Sequence, residues 1–403
     1  MKKSKIAFAV ALMVSGHSVS YAQQVFEEIS VVAQKREQSV QDVGIAITAL
    51  TGDQLEALGF DNAQQVTAMA PGVQTVQPNG EANYSVGIRG VTNSDFTTNV
   101  ESPVALYVDE VYISQMSGAG FSLFDVERVE ILRGPQGTLF GRNATGGLVH
   151  FITRKPTQDF DAYAKLTLGD YSQKKFEGAV GGGLTDELAA RVSVNINKAD
   201  GYVENRYTGN DLNNANDKTV RAQFLFTPNE NFDALLNVRY SKQDIDTGFF
   251  ENVSSIRAGE LTPTEMNPIL EYIDNDGDVY AGDYDDPGFN ELETKGATAT
   301  LNWQINDDLK LVSITDFSTV ERTYIEDSDA SPVSFFNFFL TTDAEQFSQE
   351  LRLEGSVGDL LWVAGAYYLD LDINDSNGAI SEPLIGGGGV TAAGSEGGLY
   401  NPY

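Results

Sequence analysis

Residues Leu188–Asn197 read LAARVSVNIN, and the alternation within them is regular. Leu188, Ala190, Val192, Val194 and Ile196 occupy one set of positions; Ala189, Arg191, Ser193, Asn195 and Asn197 occupy the other. A strand sends successive side chains to opposite faces, so this run has one apolar and one polar face. Phe232, Ala234, Leu236, Val238 and Tyr240 alternate in the same way with Asp233, Leu235, Asn237, Arg239 and Ser241. Phe347, Leu351 and Leu353 do so with Ser348, Glu350, Arg352 and Glu354. A sandwich strand also alternates but is usually shorter, so the connections decide. Short turns fall near Leu184–Asp186, Pro228–Asn231, Asn306–Asp308 and Ser356–Asp359. Long polar linkers, Asp200–Asp217, Ile245–Glu293 and Arg322–Ala344, separate them after a first hairpin at Gly169–Gln173. Short turns at one end and long loops at the other are the pattern of a transmembrane β-barrel. About nine strands fit between Tyr163 and Leu369, an odd count where bacterial barrels take an even one. The chain then runs into a glycine-rich tail (Gly386–Gly389, Gly397–Gly398), so the barrel is expected to be incomplete.

The N-terminus agrees with export. Lys2, Lys3 and Lys5 precede the apolar run Ile6–Val14, and Ser20-Tyr21-Ala22 has the small-x-small form of a signal peptidase site. Residues 1–22 therefore read as a removed leader, which takes the formal net charge from -32 to about -35. Such acidity argues against nucleic acid, whose phosphates demand basic surface. Cysteine is absent and only two histidines occur, one of them (His17) in the leader. Histidine-based metal binding and Ser-His-Asp catalysis have almost no material.

From about 40 to 156 the pattern is mixed. Thr51-Gly52-Asp53 opens a helical stretch at Gln54–Leu58, and Asn62 is placed to cap a second over Ala63–Met69, stopped by Pro71-Gly72. Short strands follow at Tyr84–Arg89 and Val104–Val108. Asp125–Pro156, DVERVEILRGPQGTLFGRNATGGLVHFITRKP, concentrates glycine and arginine. It is not a phosphate loop, because Gly147 stands where a Walker A lysine belongs. It also lacks the G-x-G-x-x-G spacing of a dinucleotide fingerprint.

Several ordered motifs carry a resemblance. They are EEISVVA (Glu27–Ala33), VGIAITALTGDQLEALG (Val43–Gly59), SVGIRGV (Ser85–Val91), PVALYVDEVYI (Pro103–Ile113) and Glu127–Pro156 within the stretch above. Together they resemble the plug of a TonB-dependent outer-membrane receptor, and QFSQELRL (Gln346–Leu353) resembles a recurrent barrel strand of that family. The resemblance implies an α+β plug domain followed by antiparallel transmembrane β-barrel strands. Residues 1–22 are then signal peptide, 23–39 the TonB-box segment, 40–157 the plug and 158–403 part of a barrel whose family members have roughly 22 strands. It further implies a TonB box at Glu28, Ile29, Ser30, Val31, Val32 and Ala33, with Ser30 where an apolar residue is usual. Arg89 and Arg133 are expected to latch the plug to wall carboxylates, with Glu350 the best visible partner.

The implied activity is active uptake of a scarce nutrient such as a ferric siderophore, by a monomer in the outer-membrane lipid energised by the TonB protein, with no cofactor and no catalysis. A passive pore and a non-functional fragment are the alternatives; a secreted hydrolase built on paired carboxylates such as Glu101 and Asp109 is a distant one. Other features have plain readings. Asp274-Asn275-Asp276-Gly277-Asp278 lacks the glycine that follows the third acidic ligand of a calcium loop and reads as a solvated acidic loop. His150 reads as a strand-surface side chain. Phe249, Phe250, Phe335, Phe336, Phe338 and Phe339 read as an aromatic girdle or loop packing in preference to substrate contacts.

Overall fold

The computed structural model describes residues 29–381, apart from 37, 61, 68, 77–83, 96, 98–99, 116–122, 249, 253–269, 271 and 275. The expected leader and the glycine-rich tail lie outside the described residues.

The alternating runs become one antiparallel sheet. Its nine strands, counted among the described residues, pair strictly in chain order: Asp161–Leu168, Lys174–Thr185, Leu188–Ala199, Ala215–Asn229, Phe232–Ile245, Phe289–Asn306, Leu309–Asp327, Phe336–Val357 and Leu360–Ser381. Burial follows the alternation but is inverted relative to a water-soluble sheet. Arg191, Ser193 and Asn195 are buried while Val192 and Ile196 are exposed; Gln223 and Asn237 are buried while Phe224, Leu236 and Val238 are exposed. A sheet that turns polar groups inward and aliphatic groups outward is a wall between an interior and lipid. Gly296 shows how the inner face is fitted. A Cβ there would meet the guanidinium carbon of Arg239 at 2.5 Å, so the glycine lets Arg239 cross its strand to Asp316 on the strand beyond, 2.8 Å away.

The two longest strands have 22 residues each. At ~3.3 Å per residue they far exceed an apolar band ~25 Å tall, so they continue beyond the membrane. This corrects the expected linker Arg322–Ala344: strand runs through Asp327 and resumes at Phe336, leaving 328–335 as the connection. Its polar residues looked like loop because a strand above the lipid needs no apolar face.

The region before 157 folds against the inner face. A five-stranded sheet runs in the order Ala46–Thr51, Val126–Arg133, Gly147–Thr153, Val104–Val108, Val111–Ile113, with only the Gly147–Thr153/Val104–Val108 pair parallel. Every residue of Gly147–Thr153 is buried. One face packs Val129, Ile131, Val149 and Phe151, the other Leu132, Leu148, Ala105 and Tyr107. Gly147 (φ 145°) lies where a Cβ would sit 2.2 Å from the Leu132 carbonyl oxygen, so no other residue fits. The helix Gly52–Ala57 starts in a capping box: Thr51 Oγ1 accepts from Gln54 N (3.3 Å) and Gln54 Oε1 accepts from Thr51 N (3.0 Å). The helix Ala63–Thr67 begins at Asn62, whose Oδ1 accepts from Gln65 N at 3.0 Å, and ends two residues before the expected Met69.

Val192, outward in mid-strand, tests which face meets lipid. Val192→Arg should lower stability by ~2–4 kcal/mol in denaturant titrations of the lipid-inserted protein. An unchanged midpoint would place this face away from the hydrocarbon.

Candidate functional site

Polar clusters join the plug to the wall. Asp125 precedes the strand Val126–Arg133 with a left-handed φ of 50°, a conformation that Asp adopts more readily than most residues. Arg191 grips its carboxylate through Nε (2.8 Å to Oδ2) and Nη2 (2.5 Å to Oδ1), and Ser193 Oγ donates to Oδ2. Arg221 Nη2 donates to the Asp125 carbonyl at 2.9 Å, while its guanidinium carbon lies 4.8 Å from the centre of the Phe124 ring. Burial alone would push the Asp125 carboxyl up; the hydrogen bonds from Arg191 and Ser193, with Arg221 nearby, hold it below the usual carboxylate range.

A second cluster forms at the hairpin between Val104–Val108 and Val111–Ile113, which turns on Asp109 (φ 49°) and Glu110 (φ 67°). Two consecutive left-handed residues are what a two-residue hairpin requires. Asp109 accepts from Thr153 N and Oγ1, both at 2.8 Å, and from Asn237 Nδ2 of the wall at 3.1 Å. Glu110 accepts from Arg352 Nη1 at 3.0 Å and lies 3.6 Å from Lys35 Nζ. Glu350 binds both cations, Lys35 at 3.1 Å and Arg352 at 2.5 Å. Burial works against the Glu110 carboxylate, but Lys35 and Arg352 outweigh it and bring its pKa down to about 2.

The N-terminal segment docks beside this cluster. Ser30–Val31 pairs antiparallel with Gln38–Ser39, and Val31 and Ala33 are buried in the plug. Val32 N donates to both carboxylate oxygens of Glu130 (3.1 and 3.2 Å), which also accepts from Arg128 Nε at 2.8 Å. His150 Nε2 accepts from Glu110 N at 2.9 Å, so a neutral ring carries its proton on Nδ1, 3.9 Å from Glu130 Oε2. Burial lowers the His150 pKa against the pull of Glu130 and Glu110. His150 is thus a core histidine and not the expected surface side chain.

Of the expected site residues, Glu28 lies outside the described residues, and Ile29, Ser30, Val31, Val32 and Ala33 form the docked segment just given. Arg89 (φ 53°) is exposed, and Arg133 Nη1 donates to the Pro71 carbonyl at 3.2 Å. Among the described residues neither meets a carboxylate, and the expected pairing with Glu350 is replaced. Glu350 does face the plug, but Lys35 and Arg352 occupy its oxygens. Lys35, Asp125, Glu130 and Arg221 escaped sequence reasoning. The available signal was weak: lone charges beside glycine-arginine motifs or on the polar register of a strand. Glu101 pairs with Arg142 (2.5 Å), apart from Asp109's partners. The acidic loop is not simply solvated: Arg206 binds Asp274 at 2.7 Å, Asp283 at 3.1 Å and Asp276. Phe339 is buried, and Phe338 packs on Tyr324 and Leu340.

Residues 39–148 match the family model described as TonB-dependent Receptor Plug Domain. The chain is 29% identical over 210 residues to the vitamin B12 transporter BtuB of Vibrio vulnificus (strain YJ016), covering 50% of this chain and 33% of that protein. It is 30% identical over 197 residues to the pesticin receptor of Yersinia enterocolitica, covering 47% and 28%. Among solved structures, the ferric yersiniabactin uptake receptor FyuA from Yersinia pestis superposes with a TM-score of 0.68 at 18% identity, over 84% of this chain and 50% of that one. BauA, the ferric preacinetobactin receptor from Acinetobacter baumannii, gives 0.66 at 18%, over 86% and 50%. The chain thus spans about a third of the length of the curated relatives it matches and half that of the solved structures. Residues 39–148 are a plug domain of the TonB-dependent receptor type, and the chain shares with the solved receptors the fold of a plug against an antiparallel wall. The named relatives are transporters and receptors and not enzymes.

The seam predicts its own pH dependence. Asp125 and Glu110 both have lowered folded-state pKa values, so their stabilisation is fully present above the unfolded carboxylate range, ~3.9–4.3. It is lost as pH falls from there through their folded values, which for Glu110 is about 2. Acid titration of plug protection by hydrogen exchange should show release in that window. Asp125→Ala, which leaves Arg221 without its carboxylate and Arg191 with Asp161 alone, should cost ~3–5 kcal/mol at neutral pH. An acid profile unchanged in Asp125→Asn and Glu110→Gln would remove the seam's role.

Proposed function

We propose that the receptor to which this chain belongs actively imports a scarce, bulky nutrient across the outer membrane, energised by TonB through the segment Glu28–Ala33. The observation that carries this reading is the state of that segment. Its Ser30–Val31 backbone is paired with Gln38–Ser39, and Glu130 holds the Val32 N–H. A β-branched extended peptide suits strand addition to a partner's sheet edge, yet backbone groups already paired cannot pair again. The segment must therefore leave the plug before it engages a partner. Lys35, bound to Glu350 of the wall and close to Glu110 of the plug, ties that departure to the plug–wall seam.

A ferric siderophore is the cargo to test first, since similar solved structures are receptors for ferric yersiniabactin and ferric preacinetobactin; vitamin B12, carried by a relative in sequence, is the second. On this reading residues 1–22 are a cleaved leader, 23–39 the TonB-box segment, 40–157 the plug and 158–403 the first part of the barrel of a monomeric receptor. A passive pore is disfavoured because the plug makes charged, buried contacts with the wall. Arg89 and Arg133 remain candidates for contact with carboxylates of wall beyond the described strands.

Val31→Pro removes a backbone donor and restricts φ. In cells carrying the receptor, uptake of radiolabelled ferric siderophore should fall to background while binding at the cell surface persists. Unchanged uptake would remove the coupling role of this segment.

A further inference from the structure

At the end of the wall where the long connections lie, a cleft of about 290 Å³ opens between the plug and the inner face of the sheet. Asn62 and Gln64 line its plug side, and amides and carboxylates make up just over half of its wall side. These form a hydrogen-bonded row across neighbouring strands. Gln173 Nε2 donates to Asn197 Oδ1 (3.2 Å), and Asn197 Nδ2 donates to Asp217 Oδ2 (3.3 Å). Gln243 Nε2 donates to Asp217 Oδ1 (2.8 Å), and Asn290 Nδ2 donates to Gln243 Oε1 (3.1 Å). Each primary amide has two N–H donors and a carbonyl acceptor with two lone pairs, and the row engages one donor of Asn197 and one of Gln243. The row fixes these planar groups in one orientation and leaves each with further capacity for a ligand hydroxyl.

Two further observations narrow the ligand. Tyr171 and Tyr202 line the cleft, and with Tyr280 they form a chain of edge-on rings, with centroids 6.2 and 6.4 Å apart. Tyr171 is 58% exposed, and Tyr280, next to Tyr202 and outside the cleft lining, is 60% exposed, so aromatic surface is open to solvent beside the cleft. The cleft also carries Asp170, Asp200 and Asp217 against Lys175, in a chain of net charge -32. A field of that sign repels anions. Exposed aromatic faces beside fixed amide and carboxylate edges suit a molecule with a flat C–H face and a rim of hydroxyls. We propose that this cleft binds a neutral oligosaccharide, taking its terminal sugars, since the volume is at the small end of the ~300–1,000 Å³ range of ligand pockets. The proposal rests on the receptor reading only in taking the long-connection end as the outside; it does not depend on an iron cargo.

The test uses the detergent-solubilised receptor that carries this chain, probed on an array of neutral gluco-, galacto-, manno- and xylo-oligosaccharides beside oligogalacturonates. Calorimetry follows on the strongest neutral binder. At least one neutral series should bind and the oligogalacturonates should not. Tyr202→Ala and Gln243→Leu should each weaken binding about tenfold, with heat-modifiable migration retained as the check on folding. No neutral binder, equal binding of oligogalacturonates, or well-folded variants with unchanged affinity would each overturn the proposal. Should one of those outcomes occur, ferric siderophore uptake intact in the same variants would leave the transport reading standing.

Discussion

The Asp125 carboxylate, gripped by Arg191 and approached by Arg221, is the contact on which the arrangement of the molecule turns. A wall that faces lipid on one side must put its polar residues on the other, and in the interior those residues need partners. Arg191 and Arg221 sit on neighbouring strands, pointing inward by the same alternation that sends Val192 and Val220 outward. Left alone, Arg221 would have no carboxylate partner among the described residues, and Arg191 would keep only half-exposed Asp161, 2.7 Å away on the wall. A buried cation without counter-charge is costly. Asp125 supplies that charge from the plug, at the residue where the chain turns into the strand Val126–Arg133. The inverted pattern of the sheet supplies the polar inner face, and the plug supplies carboxylates that pair part of it.

The seam is built from turns as much as from side chains. Asp109, Glu110 and Asp125 all have positive φ, and each delivers a carboxylate to its partners from a tight bend. The plug's own sheet is mostly apolar on both faces, with Glu130 and His150 the buried polar pair on its central strands, and most of the remaining polar contacts lie at its rims. Because the rim charges are paired with wall arginines and amides, movement of the plug breaks several interactions at once. Lys35 extends that coupling. It lies 3.6 Å from a plug carboxylate and 3.1 Å from a wall carboxylate, and it belongs to the segment whose backbone is held by Glu130.

Most of the fold was legible along the chain. The two-residue period of Leu188–Asn197 and its counterparts follows from strand geometry alone, and the alternation of short and long connections gave the wall its orientation. The count of about nine strands agrees with the sheet because each turn carried its own local signal. Reading failed where local signals fade. Arg322–Asp327 and Phe336–Ala344 lack a clean two-residue alternation yet form strand, since beyond the lipid a strand is held by its backbone pairing and needs no apolar face.

The sequence by itself determined the alternating wall, the glycine positions where backbone meets backbone, as at Gly147, and the motifs that carry the family resemblance. These depend on residues close in the chain and on the chemistry of single side chains. The tertiary structure alone decided which charges meet. Glu350 faces the plug as its register requires, but its partner is Lys35, 315 residues earlier, and not Arg89 or Arg133. His150 is buried although its neighbours read as a surface strand, because the sheet is covered on both faces. Ion pairs across such separations depend on how two layers dock, and docking is set by the whole of both surfaces. No spacing along the chain records it.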